Sequence, residues 1–338
     1  MTINNRYEFM YFVECKNGNP NGDPDMGNSP RMDPQDMKGL ISDVAIKRRI
    51  RNYIQFARGN QEPYGIIMQQ STNINKFIAK AHEETGNTKM EKTKDKVAQS
   101  QRWLCENFYD VRTFGAVLST GPNAGQVRGP AQLTFLRSYD PILPLDISIT
   151  RMVVAESVGK QGVASYEKYL EWEEKQPEDK LRTMGRKQLI PYGLYEGRGF
   201  ISAHLAERTG FGDQDLTLLW EALLNMYEHD RSASKGEMST VQPLIIFKHI
   251  GTDSDEQQRI NQAKLGCAPA HQLFNLVQVE KKTGVDVPRD YLDYTLTIDL
   301  DQIPRGIEIG FALPSPEGVQ ITWGEVPDNL PWAKVLKA

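Results

Sequence analysis

Cysteine is scarce in this sequence, and the three cysteines present are far apart. Cys15, Cys105 and Cys267 are the only ones among 338 residues, and no CxxC pair occurs. This pattern excludes a disulfide framework and a zinc ribbon, and it predicts a protein of the reducing cytoplasm. The sequence has no signal peptide and no apolar run near the roughly 20 residues that span a bilayer. We therefore expect a soluble protein with no membrane partner.

The sequence also has no excess of positive charge. Its 40 Lys and Arg residues and 44 Asp and Glu residues give a net charge of −4. Any nucleic-acid site must therefore be a local patch on the surface, because the molecule as a whole is not basic. No internal repeat or low-complexity linker divides the chain, which predicts a single elaborated domain over residues 1–338.

The motifs of several enzyme classes are missing. We find no nucleophile elbow, no Walker loop and no dinucleotide-binding glycine pattern. His204, followed by His229-Asp230 and a later aspartate, imitates the order of metal ligands in some phosphohydrolases. However, a histidine at the end of a predicted helix is equally explained by the helix dipole. We predict no catalytic residue, no metal and no cofactor.

One enzyme hypothesis remains as an alternative. Asp23, Asp25 and Asp33 could bind Mg²⁺ through carboxylate oxygens and support phosphodiester cleavage. The same Asp-Pro and Asn-Gly pairs are also ordinary turn-forming sequences. These aspartates therefore leave metal-dependent phosphodiester cleavage as an alternative function.

A strand, a glycine-rich loop and a basic helix follow one another between residues 6 and 57. The segment RYEFMYFVECK is apolar on both faces, which predicts a central strand covered from both sides. In the loop NGNPNGDPDMGNSPR, glycines permit positive φ and prolines prevent a helix. Ser42 is the predicted N-cap of SDVAIKRRIRNYIQ. The apolar helix face consists of Ile46, Ile50, Tyr53, Ile54 and Ala57, with Lys47, Arg48 and Arg51 opposite and Arg49 nearer the apolar face.

The rest of the chain predicts a mixture of helices and strands. A helical insertion is expected at about 60–109, strands at VRTFGAVL and GQVRGPAQLTFLRSY, and a polar arm at about 139–191. We predict a strand at GRGFISAHLA, helices at DQDLTLLWEALLNMYEHD and APAHQLFNLVQVEKK, and a loop-like tail over 301–338. The coarse order is compatible with an α+β fold, a ferredoxin-like or RRM-like βαββαβ core carrying insertions.

Six segments carry a resemblance that extends over most of the chain. They are NGNPNGDPD (17–25), SDVAIKRRIRNY (42–53), DVRTFGAV (110–117), ITRMVV (149–154), TMGRKQLIPYGLY (183–195) and LLWEALLNMYEHDRSASKGEM (218–238). With these segments, in this order, the sequence resembles the backbone subunit of type I CRISPR surveillance complexes (Cascade), the seventh Cas family. The resemblance is closest to subtype I-C.

The resemblance implies a hand-shaped protein. Its RRM-like palm would comprise about 5–58, 110–138 and 192–300, with a helical finger at 60–109, a β-hairpin thumb at 139–191 and a C-terminal extension at 301–338. Several copies would polymerise along one CRISPR guide RNA and present its spacer to a target DNA strand. Other Cascade subunits, of the fifth and eighth Cas families, would be further partners. The implied function is a non-catalytic RNA-binding scaffold, and the alternative is a metal-dependent endoribonuclease of the same structural family.

The resemblance further implies RNA contacts from the loop, the helix and the arm. Backbone recognition requires cations and amide N–H groups along a groove, with little dependence on base identity. Met152 and Met184 could wedge beside a flipped base or pack within the thumb. Arg112 and Arg128 could face either the RNA or a carboxylate. The predicted contacts are Lys16, Asn17, Asn19, Asn21, Arg31, Ser42, Lys47, Arg48, Arg51, Arg151, Met152, Met184, Arg186 and Lys187.

Overall fold

The computed structural model describes residues 1–87, 94–158 and 164–336. Its strands are β1 (Tyr7–Gly18), β2 (Gly22–Asp23), β3 (Ser29–Pro30), β4 (Lys38–Ile41), β5 (Gly115–Val117), β6 (Gln126–Arg128), β7 (Ala131–Leu133), β8 (Leu136–Pro141), β9 (Leu145–Arg151), β10 (Thr183–Ile201), β11 (Glu237–His249), β12 (Val277–Lys281), β13 (Tyr294–Asp299), β14 (Ile307–Ser315), β15 (Gly318–Trp323) and β16 (Ala333–Leu336). Its α-helices are α1 (Asp43–Arg58), α2 (Asn75–Glu84), α3 (Lys94–Asn107), α4 (Tyr109–Phe114), α5 (Tyr166–Glu174), α6 (Ala203–Thr209), α7 (Asp213–Asn225), α8 (Glu256–Leu265) and α9 (Ala270–Phe274).

A large antiparallel sheet forms the centre of this mixed α/β fold. Its strand order is β15-β14-β11-β1-β10-β8-β4, and β7 and β9 also pair with β10. Within it, β1 pairs with β10 on one side and β11 on the other, so that Phe9 lies opposite Gly199 and Ile246. The prediction of a central strand at RYEFMYFVECK is confirmed.

The two faces of β1 belong to different cores. Phe9 and Tyr11 face α1 and α7, where the Trp220 ring lies 4.9 Å from that of Phe9. Phe12 faces the small sheet β12-β13-β16, and its ring lies 5.2 Å from that of Trp332. Because successive side chains of a strand alternate between faces, the position of each residue in β1 decides which core it joins. The chain thus forms three layers, with the main sheet between the helices α1 and α7 on one side and the small sheet on the other.

Helix α1 begins where the sequence predicts. Ser42 is extended (φ −71°, ψ 149°), and its Oγ accepts a hydrogen bond from Ala45 N–H at 3.3 Å. Ile46, Ile50 and Ile54 are fully buried. Ala57 is exposed, so its predicted place on the apolar face is wrong. The helix ends at Arg58, and Gly59 caps it with a positive φ of 61°.

Ser42→Ala is expected to reduce the free energy of unfolding by about 1 kcal/mol, because the Ala45 N–H loses its capping acceptor. Ser42→Asn is the matched control, since asparagine caps helices about as well as serine. Urea titrations followed by circular dichroism measure both variants. Equal stability of Ser42→Ala and the wild type would contradict the capping role.

The helical insertion has a small core of its own, which includes Ile78, Leu104 and Phe108. The buried Asp110 of α4 connects it to the rest of the protein, because its carboxylate also pairs with Arg51 of α1. The Asp110 carboxylate accepts hydrogen bonds from the backbone N–H groups of Ile67 and Met68, both at 3.1 Å. Since residues 109–114 form a helix, the strand predicted for VRTFGAVL is wrong over its first half.

The arm (residues 145–189) extends from the edge of the sheet. Strand β9 pairs with the first part of β10, from Arg151 opposite Thr183 to Leu145 opposite Leu189. Helix α5 lies beyond this hairpin and contains no buried residue. Residues 159–163, within the polar excursion predicted here, lie outside the described residues.

Four other segments differ from the sequence-based predictions. The strand GRGFISAHLA ends at Ile201, where Ser202 caps α6 with an Oγ that accepts from Leu205 N–H. The helix predicted for APAHQLFNLVQVEKK ends at Phe274, and its second half is β12. Helix α8 was not predicted. The tail is not loop-like, because β14 pairs with β11 inside the main sheet.

No helix in the described ranges is long and apolar enough to cross a membrane.

Candidate nucleic-acid interface

Three segments that are distant in sequence meet beyond the end of β1. They are the glycine-rich loop (residues 17–37), the first half of α1 and the loop that joins α7 to β11 (residues 226–236). Asn19 N–H donates to the Ser234 carbonyl at 2.8 Å. The backbones approach so closely that a Cβ at Gly18 would collide with the Lys235 carbonyl. Glycine at this position therefore permits the contact.

The asparagines of the glycine-rich loop shape its backbone. Asn17 has a positive φ of 50°, and Asn19 is buried with its side-chain amide donating to the Asn28 carbonyl at 2.7 Å. Asn21 Oδ1 accepts from Ser42 N–H at 2.9 Å, which attaches the loop to the start of α1. Arg31 forms an ion pair with Asp23 at 3.2 Å. These side chains position backbone amides more than they offer free polar groups.

Arg49 and Lys235 converge on the Asp230 carboxylate beside this loop, and Arg48 lies near them. We call Arg48, Arg49, Lys235 and Asp230 the cationic cluster. Arg49 Nε lies 3.0 Å from Asp230 Oδ2, and Lys235 Nζ contacts the same oxygen. Arg48 is exposed, and its guanidinium donates to Gln70 at 3.4 Å. Arg49, which the sequence places nearer the apolar face of α1, is buried and forms an ion pair there.

The electrostatics of the cationic cluster favour an anion. Burial lowers the pKa of Lys235, and the positive charges of Arg49 and Arg48 lower it further, although its hydrogen bond to Asp230 acts in the opposite direction. Both arginines therefore lie close enough to Lys235 to act on its charge. Three positive charges against one negative charge therefore leave the cluster able to attract a phosphate.

The other two predicted cations of α1 are engaged by acidic partners. Lys47 Nζ lies 2.9 Å from Asp43, and Arg51 Nε lies 2.9 Å from the buried Asp110. Lys47, Arg48 and Arg51 therefore have different surroundings, and Arg51 belongs to the attachment of the helical insertion. Among the described residues, Arg48 has no carboxylate partner and projects into solvent.

Lys16 is on the other side of the sheet. It follows Phe12 and Glu14 on the face of β1 that lies away from α1, and its ammonium contacts Asp290 and lies 3.3 Å from Glu14. The structure therefore does not bring Lys16 together with the cationic cluster.

The arm divides its predicted contacts between two faces. Residues directly opposite in the register share a face, so Arg151 and Lys187 lie on one side and Met184 and Arg186 on the other. Arg186 lies 3.3 Å from Asp146. Lys187 Nζ donates to the Ala233 carbonyl and so connects the base of the arm to the loop of residues 226–236. Met152 and Met184 are 64% and 77% exposed.

The profile of the family described as CRISPR-associated protein Cas7 matches residues 5–299, a range that includes the loop, α1 and the cationic cluster. The chain belongs to this family. A CRISPR-associated protein Cas7 from Haloferax volcanii (strain ATCC 29605 / DS2) is 42% identical over 55 residues, which cover 16% of this chain and 16% of that relative.

Two solved structures are similar to this Cas7-family chain. One is titled CRISPR RNA-guided surveillance complex, pre-nicking; it is 13% identical with a TM-score of 0.42, covering 78% of this chain and 84% of that one. The other is titled CRISPR RNA-guided surveillance complex; it is 12% identical with a TM-score of 0.41, covering 87% and 88%.

The acidic residues of this Cas7-family chain do not gather into a metal site. Asp23 accepts from Asp25 N–H at 3.1 Å and pairs with Arg31, whereas Asp33 pairs with Arg137 at 3.0 Å. Across residues 1–87, 94–158 and 164–336, no three His, Cys, Asp or Glu side chains are placed to hold a metal ion. His204 lies in α6, where its Nδ1 is 4.0 Å from Glu207.

Sequence analysis missed part of the interface. Lys235 and Asp230 were not among the predicted contacts, although both lie in the segment HDRSASKGEM between a helix and a strand. The signal that could have identified them is this run of charged and small residues, which lies between a predicted helix and a predicted strand. Of the two arginines left open, Arg112 faces a carboxylate, that of Asp215 at 2.8 Å, and Arg128 is exposed on β6.

Proposed function

We propose that this Cas7-family chain is the non-catalytic backbone subunit of a type I-C Cascade, which binds guide RNA through its phosphates. The observation that carries the proposal is the cationic cluster beside a loop rich in glycine and asparagine, where Arg49 and Lys235 share one carboxylate and Arg48 adds a third charge, unpaired among the described residues. Such an arrangement suits a phosphate backbone, whose recognition depends on charge and not on base identity.

Each part of the interface has a role in this proposal. Arg48 and Lys235 contact phosphate oxygens, and Asp230 holds Lys235 and Arg49 in place. Backbone N–H groups of the glycine-rich loop supply further donors. Arg151, Arg186 and Lys187 contact the RNA from the arm, and Met152 or Met184 wedges beside a base. Asn17, Asn19, Asn21, Arg31 and Ser42 act through the shape of the loop, while Lys47 and Arg51 are secondary contacts. Lys16, on the other side of the sheet, lies outside this interface.

The strand order supports an RRM-like palm. The strands β1, β8, β10 and β11, with α1 after the first and α7 after the third, follow the βαββαβ order and lie side by side as β11-β1-β10-β8. We assign the palm to about 5–58, 110–138 and 192–300, the finger to 60–109 and the thumb to 139–191. The extension, 301–338, adds β14 to the same sheet.

In the assembled complex, several copies polymerise along one guide RNA and leave the spacer bases free to pair with target DNA. Subunits of the fifth and eighth Cas families complete this cytoplasmic ribonucleoprotein. Catalysis is left to other subunits, which agrees with the dispersed aspartates of the glycine-rich loop.

Arg48→Ala/Lys235→Ala is expected to weaken binding of single-stranded RNA and to flatten its salt dependence. Each lost phosphate contact removes about 0.7 from the slope of log K against log salt. Fluorescence anisotropy of a labelled repeat-spacer RNA across a salt series measures the slope. The matched control is Arg208→Ala/Lys282→Ala, which removes two exposed cations from α6 and from the residue after β12. An unchanged slope in the first variant would reject the cluster as the phosphate site.

A further inference from the structure

Two exposed rings lie beside the cationic cluster, and we call Phe56 and His229 the aromatic shelf. Phe56 is 69% exposed near the end of α1, and His229 is exposed after α7. Their ring centroids are 5.9 Å apart with an interplanar angle of 51°, and the His229 ring is also 6.4 Å from that of Tyr53. Tyr53 is held in place because its hydroxyl donates to Glu221 at 2.7 Å. The shelf therefore has a fixed base and an open top.

The core does not account for the exposed ring of Phe56. Its neighbours Ile50 and Ile54 fill the buried face of α1, whereas Phe56 points away from both. A large apolar side chain with this exposure leaves most of its surface in water. An exposed aromatic ring next to cations is a feature of surfaces that bind nucleic acid.

The shelf and the cationic cluster are continuous along one surface. His229 immediately precedes Asp230, the carboxylate that Arg49 and Lys235 share. Phe56 lies eight residues after Arg48 on α1, a distance of about 12 Å along the helix. Those 12 Å are enough for about two nucleotides of an extended strand. One strand can therefore contact the cations with its phosphates and the shelf with a base.

We propose that the aromatic shelf stacks one unpaired base of the RNA whose phosphates lie on the cationic cluster. This inference rests on the proposed function and adds a base contact to it. The ring of Phe56 and the imidazole of His229 offer π-faces to a base, and stacking of this kind accepts any base. The bound RNA is therefore single-stranded at this position, because a base inside a duplex has both faces covered.

The test uses two RNA oligonucleotides that differ at one position, where the first carries 2-aminopurine and the second an abasic site. A set of such pairs moves the position along the strand. Wild-type protein is expected to change the 2-aminopurine fluorescence at one position and to bind the matching abasic RNA about 5- to 100-fold more weakly. Phe56→Leu is expected to abolish the fluorescence change and to bind both RNAs with the weaker affinity.

Two control variants separate stacking from a general loss of apolar surface. Phe56→Tyr keeps a ring and is expected to retain the fluorescence change. Val44→Ala removes another exposed apolar side chain of α1, 66% exposed, and is expected to behave as the wild type. Because Phe56 and Val44 are both exposed, the folding of these variants is expected to be unaffected.

The outcomes distinguish this inference from the function on which it rests. If the wild type binds the abasic RNA in a salt-dependent way but Phe56→Leu matches the wild type on every oligonucleotide, the shelf is rejected and the RNA-binding function stands. If the wild type binds neither RNA, both the function and the shelf are rejected.

Discussion

Replacing Arg112 with methionine is expected to lower the free energy of unfolding by about 3–5 kcal/mol, the cost of leaving a buried charge unpaired. Arg112 and Asp215 are both buried, and the guanidinium donates to both carboxylate oxygens, at 3.0 and 2.8 Å. The same guanidinium donates to the backbone carbonyls of Cys105 and Pro63. Its loss therefore uncouples the helical insertion from α7 as well as breaking an ion pair.

Two further variants show whether the unpaired carboxylate is the cause. Arg112→Met/Asp215→Asn removes the buried charge while keeping an acceptor for Gly212 N–H, which donates to Asp215 at 3.0 Å, and we expect it to recover part of the loss. Lys282→Ala, at an exposed position, is expected to stay within about 0.5 kcal/mol of the wild type. Urea titration measures all of them. A loss below 1 kcal/mol in Arg112→Met would show that the pair is not a major source of stability.

A variant in which a short glycine-serine turn replaces residues 157–182 is expected to fold but not to assemble on guide RNA. The replaced part includes α5, which has no buried residue, so the cores on both sides of the main sheet are left intact. The hairpin of the arm also remains, because Arg151 still lies opposite Thr183. If the arm closes over RNA and contacts the next copy, its tip is needed for long filaments and not for folding.

Light scattering after size exclusion, with and without a repeat-spacer RNA, measures this assembly. Chemical denaturation of the same variant provides the control, and its free energy of unfolding is expected to stay within about 1 kcal/mol of the wild type. Full-length RNA-bound filaments formed by the shortened chain would disprove the thumb assignment.

The sequence predicted those elements whose apolar pattern is strong over many residues. Strand β1 and helices α1 and α7 are confirmed, because both faces of β1 and one face of each helix are buried continuously. Residues 111–114 were misassigned since their β-branched and aromatic residues favour strands locally, while packing against the insertion and α7 makes them helical. Strand β14 was missed among prolines and glycines that mark its ends.

The site was less predictable because it depends on contacts between distant segments. Arg49 and Asp230 are 181 residues apart, and no local pattern links them. Lys16 is different, since the alternation along β1 already places it with Phe12, on the face away from α1. For Lys16, the alternation of side chains along β1 was therefore enough to predict its side of the sheet. The expectation that Lys16 and α1 share one site did not take this alternation into account.

Strand β10 runs without a break from the arm to the centre of the sheet. Its first residues pair with β9, and its later ones pair with β1, from Ile190 opposite Gly18 to Ile201 opposite Tyr7. Its nineteen extended residues form a strand roughly 60 Å long. A pulling force on the arm is therefore transmitted along the β10 backbone and acts in shear on the hydrogen bonds between β10 and β1. These hydrogen bonds bear the force together. Because β10 is continuous, no hinge separates the arm from the body, and these hydrogen bonds resist tension applied to the arm.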